Sequence, residues 1–156
     1  IQGSLLDAGG GTGRIAQMLV GMAGQIVVAD LSLNMLREAV KKDSLVAVNS
    51  HSERLPFPDR QFERILMVDA LHHVCDQKQT AQELYRVLLP GGRLVIEEPD
   101  LRHWAVKLIA VGEKLALMRS HFLSPPRIAE LFAPFAAQVE IVNIGANAYI
   151  IVEKAL

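Results

Sequence analysis

The run Leu5-Leu6-Asp7-Ala8-Gly9-Gly10-Gly11-Thr12-Gly13 constrains the fold more than any other stretch, because an apolar strand passes through glycines straight into a helical pattern. Glycines lack the Cβ that would hold a ligand off the backbone, and the first N–H groups of the following helix have no intrahelical acceptor and point into the same crevice. Strand, loop and helix of this kind form the opening unit of a doubly wound sheet, with the crevice outside the carboxyl end of the strand. Asp30 closes the next apolar run, Gln25 to Asp30, where a carboxylate can accept bonds from both hydroxyls of a ribose. The expected ligand therefore contains a nucleoside.

The rest of the chain continues the alternation of short β-branched runs with longer helical segments, which is an α/β signature. Ser4 to Asp7, Gln25 to Asp30, Ser44 to Asn49, Phe62 to Val68 and Arg93 to Glu97 are expected as five strands, several with the continuous apolar character of strands buried on both faces. Between them Ile15, Met18, Leu19 and Met22 recur at helical spacing, as do Leu36, Ala39 and Val40, and then Ala81, Leu84, Tyr85 and Leu88. Each set is expected to pack a helix on the sheet. Ser32 suits an N-cap, Asp76 with Gln79 forms a capping-box pattern, and Pro90-Gly91-Gly92 is expected to end the helix that Asp76 starts. Arg102 to Arg119 has an amphipathic helical pattern, and Ser124-Pro125 opens a shorter helix. Val139 to Ile144 and Tyr149 to Glu153, with Gly145 and Asn147 between them, are expected as an antiparallel hairpin at the end of the sheet.

At 156 residues, 51% hydrophobic and 21% charged, the chain suits one folded domain spanning 1–156 and excludes a disordered one. A formal charge of -1 supplies no global field for nucleic acid, so none is expected as a partner. The single cysteine, Cys75, cannot close an intramolecular disulfide, which favours a reducing, cytoplasmic setting. The apolar stretch Trp104 to Met118 is interrupted by Lys107, Glu113 and Lys114, so no integral membrane segment is expected. The chain opens at Ile1, just before its first strand, and N-terminal helices are expected to be missing from it.

Two cofactor classes fit the glycine loop. Gly11-Thr12-Gly13-Arg14-Ile15-Ala16 satisfies the G-x-G-x-x-A form of the dinucleotide fingerprint. Asp7 points elsewhere, since a carboxylate at the mouth of the strand repels a pyrophosphate and attracts the ammonium and sulfonium of S-adenosylmethionine. Asp7 also suits a plain strand-end role, capping local N–H groups.

Further segments carry a resemblance: Glu53-Arg54-Leu55-Pro56-Phe57-Pro58-Asp59-Arg60-Gln61-Phe62-Glu63, Leu71-His72-His73-Val74, and Glu83-Leu84-Tyr85-Arg86-Val87-Leu88-Leu89-Pro90-Gly91-Gly92. With Asp7 to Gly13 and Asp30, they make residues 4–98 resemble a class I S-adenosylmethionine-dependent methyltransferase of the small-molecule subgroup that includes quinone-biosynthesis enzymes. The resemblance implies a Rossmann-like seven-stranded sheet of order 3-2-1-4-5-7-6, mostly parallel with strand 7 antiparallel. It implies that Asp7, Gly9, Gly11 and Gly13 hold the methionine portion, Asp30 the ribose, Leu31 a face of the adenine, and His51, Ser52 and Glu53 the adenine edge. Asp69, Leu71 and His73 match the methyl-transfer side. The family usually has an aspartate where this chain has His51, and a neutral imidazole accepts only one bond.

Methyl transfer is an in-line displacement at a carbon activated by its sulfonium, so positioning supplies much of the acceleration, and a base is needed only when the acceptor keeps its proton. His72 and His73 are the candidate bases. His72, His73, Cys75 and Asp76 are all metal-ligating types, but no second pair of ligands accompanies them at zinc-site spacing, and no metal is expected. Arg102 to Phe135 is expected to wall the acceptor pocket, with Trp104, Leu108 and Phe122 as apolar candidates and His121 or Arg127 as polar ones. The expected activity is methyl transfer from S-adenosylmethionine to a small molecule, releasing S-adenosylhomocysteine. The alternatives are an NAD(P)-dependent oxidoreductase and a non-catalytic S-adenosylmethionine-binding module.

Overall fold

The computed structural model describes residues 3–100 and 121–156. Its strands are β1 (Ser4–Ala8), β2 (Gln25–Asp30), β3 (Leu45–Asn49), β4 (Phe62–Val68), β5 (Leu88–Pro99), β6 (Ala137–Ile144) and β7 (Asn147–Lys154). Its helices are α1 (Arg14–Met18), α2 (Leu33–Ala39), α3 (Gln77–Val87) and α4 (Pro125–Glu130), with a 3-10 turn at Leu71–His73. The strands join in one sheet of order β3-β2-β1-β4-β5-β7-β6. Strands β1 to β5 pair in parallel, and β7 runs antiparallel to both β5 and β6, as expected. Strand order reverses between β1 and β4, so the loops leaving these two strands diverge and open a crevice at their carboxyl ends.

The apolar runs are continuous because both faces of the sheet are covered. Side chains alternate across a strand, so Leu5, Ile26 and Val28 meet α1 and α2 through Ala16, Leu36 and Ala39. Leu6, Val27 and Ala29 belong to the opposite core, where Ala81, Leu84 and Val87 of α3 and Ile128 of α4 pack with Phe132. Ser32 caps α2 and Asp76 caps α3, each accepting a backbone N–H three residues on.

Two helices depart from the sequence pattern. Helix α1 stops at Met18, and Met18 and Met22 are exposed at 64% and 58%, so they do not extend its packing face; Ala16 alone is buried in that helix. Gly21 adopts a left-handed φ of 85°, which ends the helical periodicity before Met22. Helix α3 ends at Val87, before Pro90, because Leu88 is already fully buried and pairs with Phe62 at the start of β5. Pro90-Gly91-Gly92 instead forms an irregularity inside β5, between the pairs Phe62–Leu88 and Arg64–Arg93. Lys154 Nζ donates to the carbonyls of Tyr85 and Leu88, satisfying acceptors at the end of α3. The expected helix over Arg102 to Arg119, with Trp104 and Leu108, lies outside the described residues. Among the described residues no helix is long and apolar enough to cross a membrane.

One side chain of α3 fixes the long connection between β3 and β4. Arg86 donates to the carbonyls of Leu55 and Phe57 and to the carboxylates of Glu83 and Asp59, while Glu83 Oε2 accepts the Leu55 N–H at 2.9 Å. Arg86 holds the Glu83 carboxyl below its ordinary range, chiefly through this hydrogen bond. The contribution of Glu83 is thus full above the ordinary carboxylate range and is lost as pH falls below it through the lowered folded-state value. Arg86→Ala should cost about 2–3 kcal/mol in urea unfolding at pH 7, the scale for several bonds to charged partners at a half-buried site. A loss under about 0.5 kcal/mol would show that the connection holds itself.

Candidate functional site

The crevice holds a cavity of about 480 Å³ lined by Gly9, Gly11, Asp30, Leu31, Ser32, Met35, Ser50, His51, Ser52, Glu53, Asp69, Ala70, His73, Val74 and Cys75. Four segments distant in sequence thus come together, the loops that leave β1, β2, β3 and β4, as the sheet order requires. Gly9 has φ 71°, and a Cβ on it would lie 2.6 Å from the Ala70 Cβ, so only glycine lets the β1 loop pass this close to Ala70 before the two loops part. Gly11 also has a left-handed φ, and its N–H donates to Asp30 Oδ2 at 2.9 Å. The other oxygen of Asp30 accepts from Ser32 N–H at 2.7 Å. A carboxylate has about four acceptor positions, so Asp30 holds two loops and keeps capacity for hydroxyl donors.

Leu31 and Met35, 59% and 48% exposed, give one wall an apolar surface of the kind a purine face requires. Across the cavity the β3 loop presents His51, Ser52 and Glu53. Glu53 Oε1 accepts from the N–H groups of Cys75 and Asp76, which ties this loop to the start of α3, and Glu53 Oε2 lies 3.9 Å from His51 Nδ1. The His51 side chain is 65% exposed on the rim.

Not every expected residue lines this space. Gly13 lies at the N-cap of α1, where a Cβ would meet Leu45, Ala39 and Val28; its role is packing under the helix. Leu71 is buried in the core below the cavity. Asp7 is also buried and lines a smaller recess of about 120 Å³ with Gly9, Gly10, Thr12, Arg14, Ile15, Val68 and Asp69. The recess and the main cavity share Gly9 and Asp69. A Cβ on Gly10 would approach the Asp7 carboxyl to 2.5 Å, so the glycine loop is seated directly on that side chain. Asp7 Oδ2 is buried with no hydrogen-bond partner. Burial pushes the Asp7 carboxyl up to about 6, with the charge of Asp30 adding and a bond from the Ala16 N–H opposing. Asp69 adopts φ 50°, and burial with the charges of Glu98 and Glu97 raises its carboxyl as well.

His72 and His73 face different surroundings. His73 lines the cavity, while His72 is buried with its Nδ1 2.5 Å from Glu98 Oε2. The His72 ring lies 4.0 Å from that of His73 and stacks on Phe122 at 4.3 Å. Phe122 stacks on His72 and is not among the residues lining this cavity, and Arg127, paired with Glu130, is exposed. His121 donates its N–H to the His72 carbonyl. Among the described residues no group of three or more His, Cys, Asp or Glu side chains is arranged to hold a metal ion.

The chain matches the model of a family described as a methyltransferase domain over residues 6–96, more than half its length. It belongs to that family. The methyltransferase match is accompanied by curated relatives of the same character. A ubiquinone/menaquinone biosynthesis C-methyltransferase of Hahella chejuensis is 37% identical over 61% of this chain and 42% of its own. One from Edwardsiella ictaluri is 32% identical over 83% of this chain and 53% of its own. The chain thus spans about half the length of the curated relatives it matches. A solved Thermotoga maritima structure, described as an S-adenosylmethionine-dependent methyltransferase and possible histamine N-methyltransferase, superposes with a TM-score of 0.85 at 23% identity. That superposition covers 99% of this chain and 83% of the other, and at such identity it supports the fold.

Sequence reasoning missed Ser32, Met35, Ser50, Ala70, Val74 and Cys75 in the cavity, and Glu98 beside it. Met35 follows Leu31 at helical spacing, a signal that was available; Glu98 had none, because only the pairing of β4 with β5 brings it beneath Ala70.

A buried carboxyl with a raised pKa binds its proton more tightly in the folded state, so its cost to stability appears as pH rises from 3.8 to about 6 and is full above that. Asp7→Asn should therefore stabilise the protein by up to about 3 kcal/mol at pH 8 and by almost nothing at pH 4. Urea unfolding at both pH values checks this; an equal effect at the two would mean that Asp7 does not titrate in the fold.

Proposed function

We propose that the chain, read as a single domain over 1–156, binds S-adenosylmethionine in the main cavity and transfers its methyl group to a small, largely apolar acceptor. One observation carries the reading: a single cavity unites Gly9, Gly11, Asp30, Leu31, His51, Ser52, Glu53, Asp69 and His73, and its neighbouring recess is lined by the buried Asp7 carboxyl, whose Oδ2 has no hydrogen-bond partner. A cation is the group that such a carboxylate lacks, and the ammonium of the methionine portion supplies one. A pyrophosphate in its place would set like charges against Asp7, which argues against the dinucleotide alternative.

In this reading Asp30 accepts from the ribose, Leu31 and Met35 face the adenine, and the His51-to-Glu53 loop meets its edge. When bound in this way, S-adenosylmethionine would supply a methyl carbon activated by its sulfonium, with sulfur as the leaving atom that keeps the electron pair. The residues of the chain hold it in place, and Ala70 and His73 border the side from which an acceptor approaches. The names of the curated relatives make phenolic and quinol rings the first acceptors to test. A cytoplasmic setting, with no nucleic acid as partner, accords with the near-neutral charge and single cysteine.

Calorimetric titration with S-adenosylhomocysteine and, separately, NAD tests the reading: the first should bind and the second should not. Asp30→Ala should weaken S-adenosylhomocysteine by about 1.5–3 kcal/mol, the range for bonds to a charged group. An unchanged dissociation constant would remove Asp30 from the ribose. His51→Asp places an acceptor for the adenine amino group on the rim and should tighten binding, by up to about tenfold for one added bond. Weaker or unchanged binding would place the adenine edge elsewhere.

A further inference from the structure

Asp7 belongs to the central strand β1, where it pairs with Val28 of β2 on one side and Leu66 of β4 on the other, and it is 1% exposed. Gly10 roofs the side chain so closely that a Cβ there would lie 2.5 Å from the carboxyl. The carboxyl therefore has no route to bulk water except the recess of about 120 Å³ that it lines, which has room for a group of a few heavy atoms. Among the described residues its Oδ2 has no hydrogen-bond partner. A buried carboxylate in this position is relieved in one of two ways, by taking up a proton or by receiving a cation beside it. The two exclude each other, because a protonated carboxyl has no charge to offer.

The surroundings favour the proton while the recess is empty. Burial comes first, and the charge of Asp30 at the end of β2 adds to it, against a bond from the Ala16 N–H; together they place the Asp7 carboxyl at about 6. Asp69, at the end of β4, lines the same recess, and its own carboxyl is raised by burial and by Glu98 and Glu97 of β5, with His72 and Arg14 opposing. Arg14 of α1 is the cation among the residues that line the recess.

Resting on the proposed binding of S-adenosylmethionine, we infer that a proton and the ligand's ammonium compete for Asp7, so that Asp7 selects ligands with an amino-acid end and makes that end, not the adenosine end, the source of pH dependence in binding. When the ammonium enters, the O–H bond of the protonated carboxyl breaks, the electron pair stays on oxygen and the proton passes to water. The ammonium keeps its own protons and donates to the carboxylate. The sign follows from linkage: between 3.8 and about 6 the free protein holds a proton that the complex does not. Affinity is therefore full above about pH 7 and falls by up to about tenfold for each unit below 6. The α-ammonium stays charged throughout this range.

Calorimetric titration at pH 5 and pH 7, each in two buffers of different ionisation enthalpy, measures affinity and counts protons together. The probes are S-adenosylhomocysteine and 5′-methylthioadenosine, which carries the same nucleoside without the amino-acid end. S-adenosylhomocysteine should bind about tenfold more weakly at pH 5 than at pH 7 and release about one proton at pH 5 and about a tenth of one at pH 7. 5′-Methylthioadenosine should show neither effect. His51 and His73 line the cavity that both ligands enter, so their contribution is common to the two. Asp7→Asn keeps the shape and cannot titrate; with S-adenosylhomocysteine it should lose the pH dependence and the proton release, and at pH 7 its preference for that ligand over 5′-methylthioadenosine should fall about tenfold. Carbon NMR of labelled aspartate should show Asp7 titrating near 6 in the free protein and staying ionised with S-adenosylhomocysteine bound, which decides the matter in the parent alone should Asp7→Asn fail to fold.

Binding of S-adenosylhomocysteine without proton release at pH 5, an equal pH dependence for both ligands, or a dependence that survives in Asp7→Asn overturns the inference and leaves the proposed function standing. A parent that binds no S-adenosylhomocysteine at either pH overturns the proposed function, and the inference with it.

Discussion

Backbone N–H groups just past the end of a parallel strand have left one ladder and joined no other, and the whole crevice depends on carboxylates that accept from them. Asp30 takes the N–H groups of Gly11 and Ser32, Glu53 those of Cys75 and Asp76, and Glu98 those of Ala70 and Leu71. Each pair joins loops that are far apart in sequence or turns a chain sharply out of its strand. Bonds of this kind are about twice as strong as neutral ones, and they hold loops that carry little apolar surface of their own. The crevice is thus rigid because its rim is anionic on the inside, with acceptors facing donors all the way round.

The same chemistry explains which parts were legible in advance. Strands β2 and β4 begin and end where their apolar runs do, because burial on both faces leaves no choice of register. The end of α3 was misplaced because Pro90 and Gly91 look like helix punctuation, while the decision was made two residues earlier by the burial of Leu88 against β4. Helix α1 was overextended because Met18 and Met22 keep the period of a helix that Gly21 has already ended. The placement of Asp30, Gly9 and Gly11 around the crevice could be read because it follows from local backbone geometry. Glu98 could not, since in sequence it is one acid in Glu97-Glu98-Pro99-Asp100 and only the sheet selects it.

Asp7 is the opposite case, a residue visible in the sequence whose environment was not. It lies two residues before the glycines, and the fold places it under them, shut off from water and with its Oδ2 unpaired. Natural folds retain such groups where binding relieves the cost, and under the proposed function the stability lost in the free protein would become a preference for a cation.

The hairpin between β6 and β7 turns at Gly145 and Ala146, and the Ala146 carbonyl accepts the N–H of Asp100 just past β5. Because β7 alone runs backwards, this turn emerges at the same end of the sheet as the crevice. Residues inserted there would extend over the mouth of the crevice without shifting a single rung of the ladder, and the entropy of closing a longer loop grows only with the logarithm of its length. Such a fold therefore has a place at this end of the sheet where the chain can be lengthened independently of the strands below it.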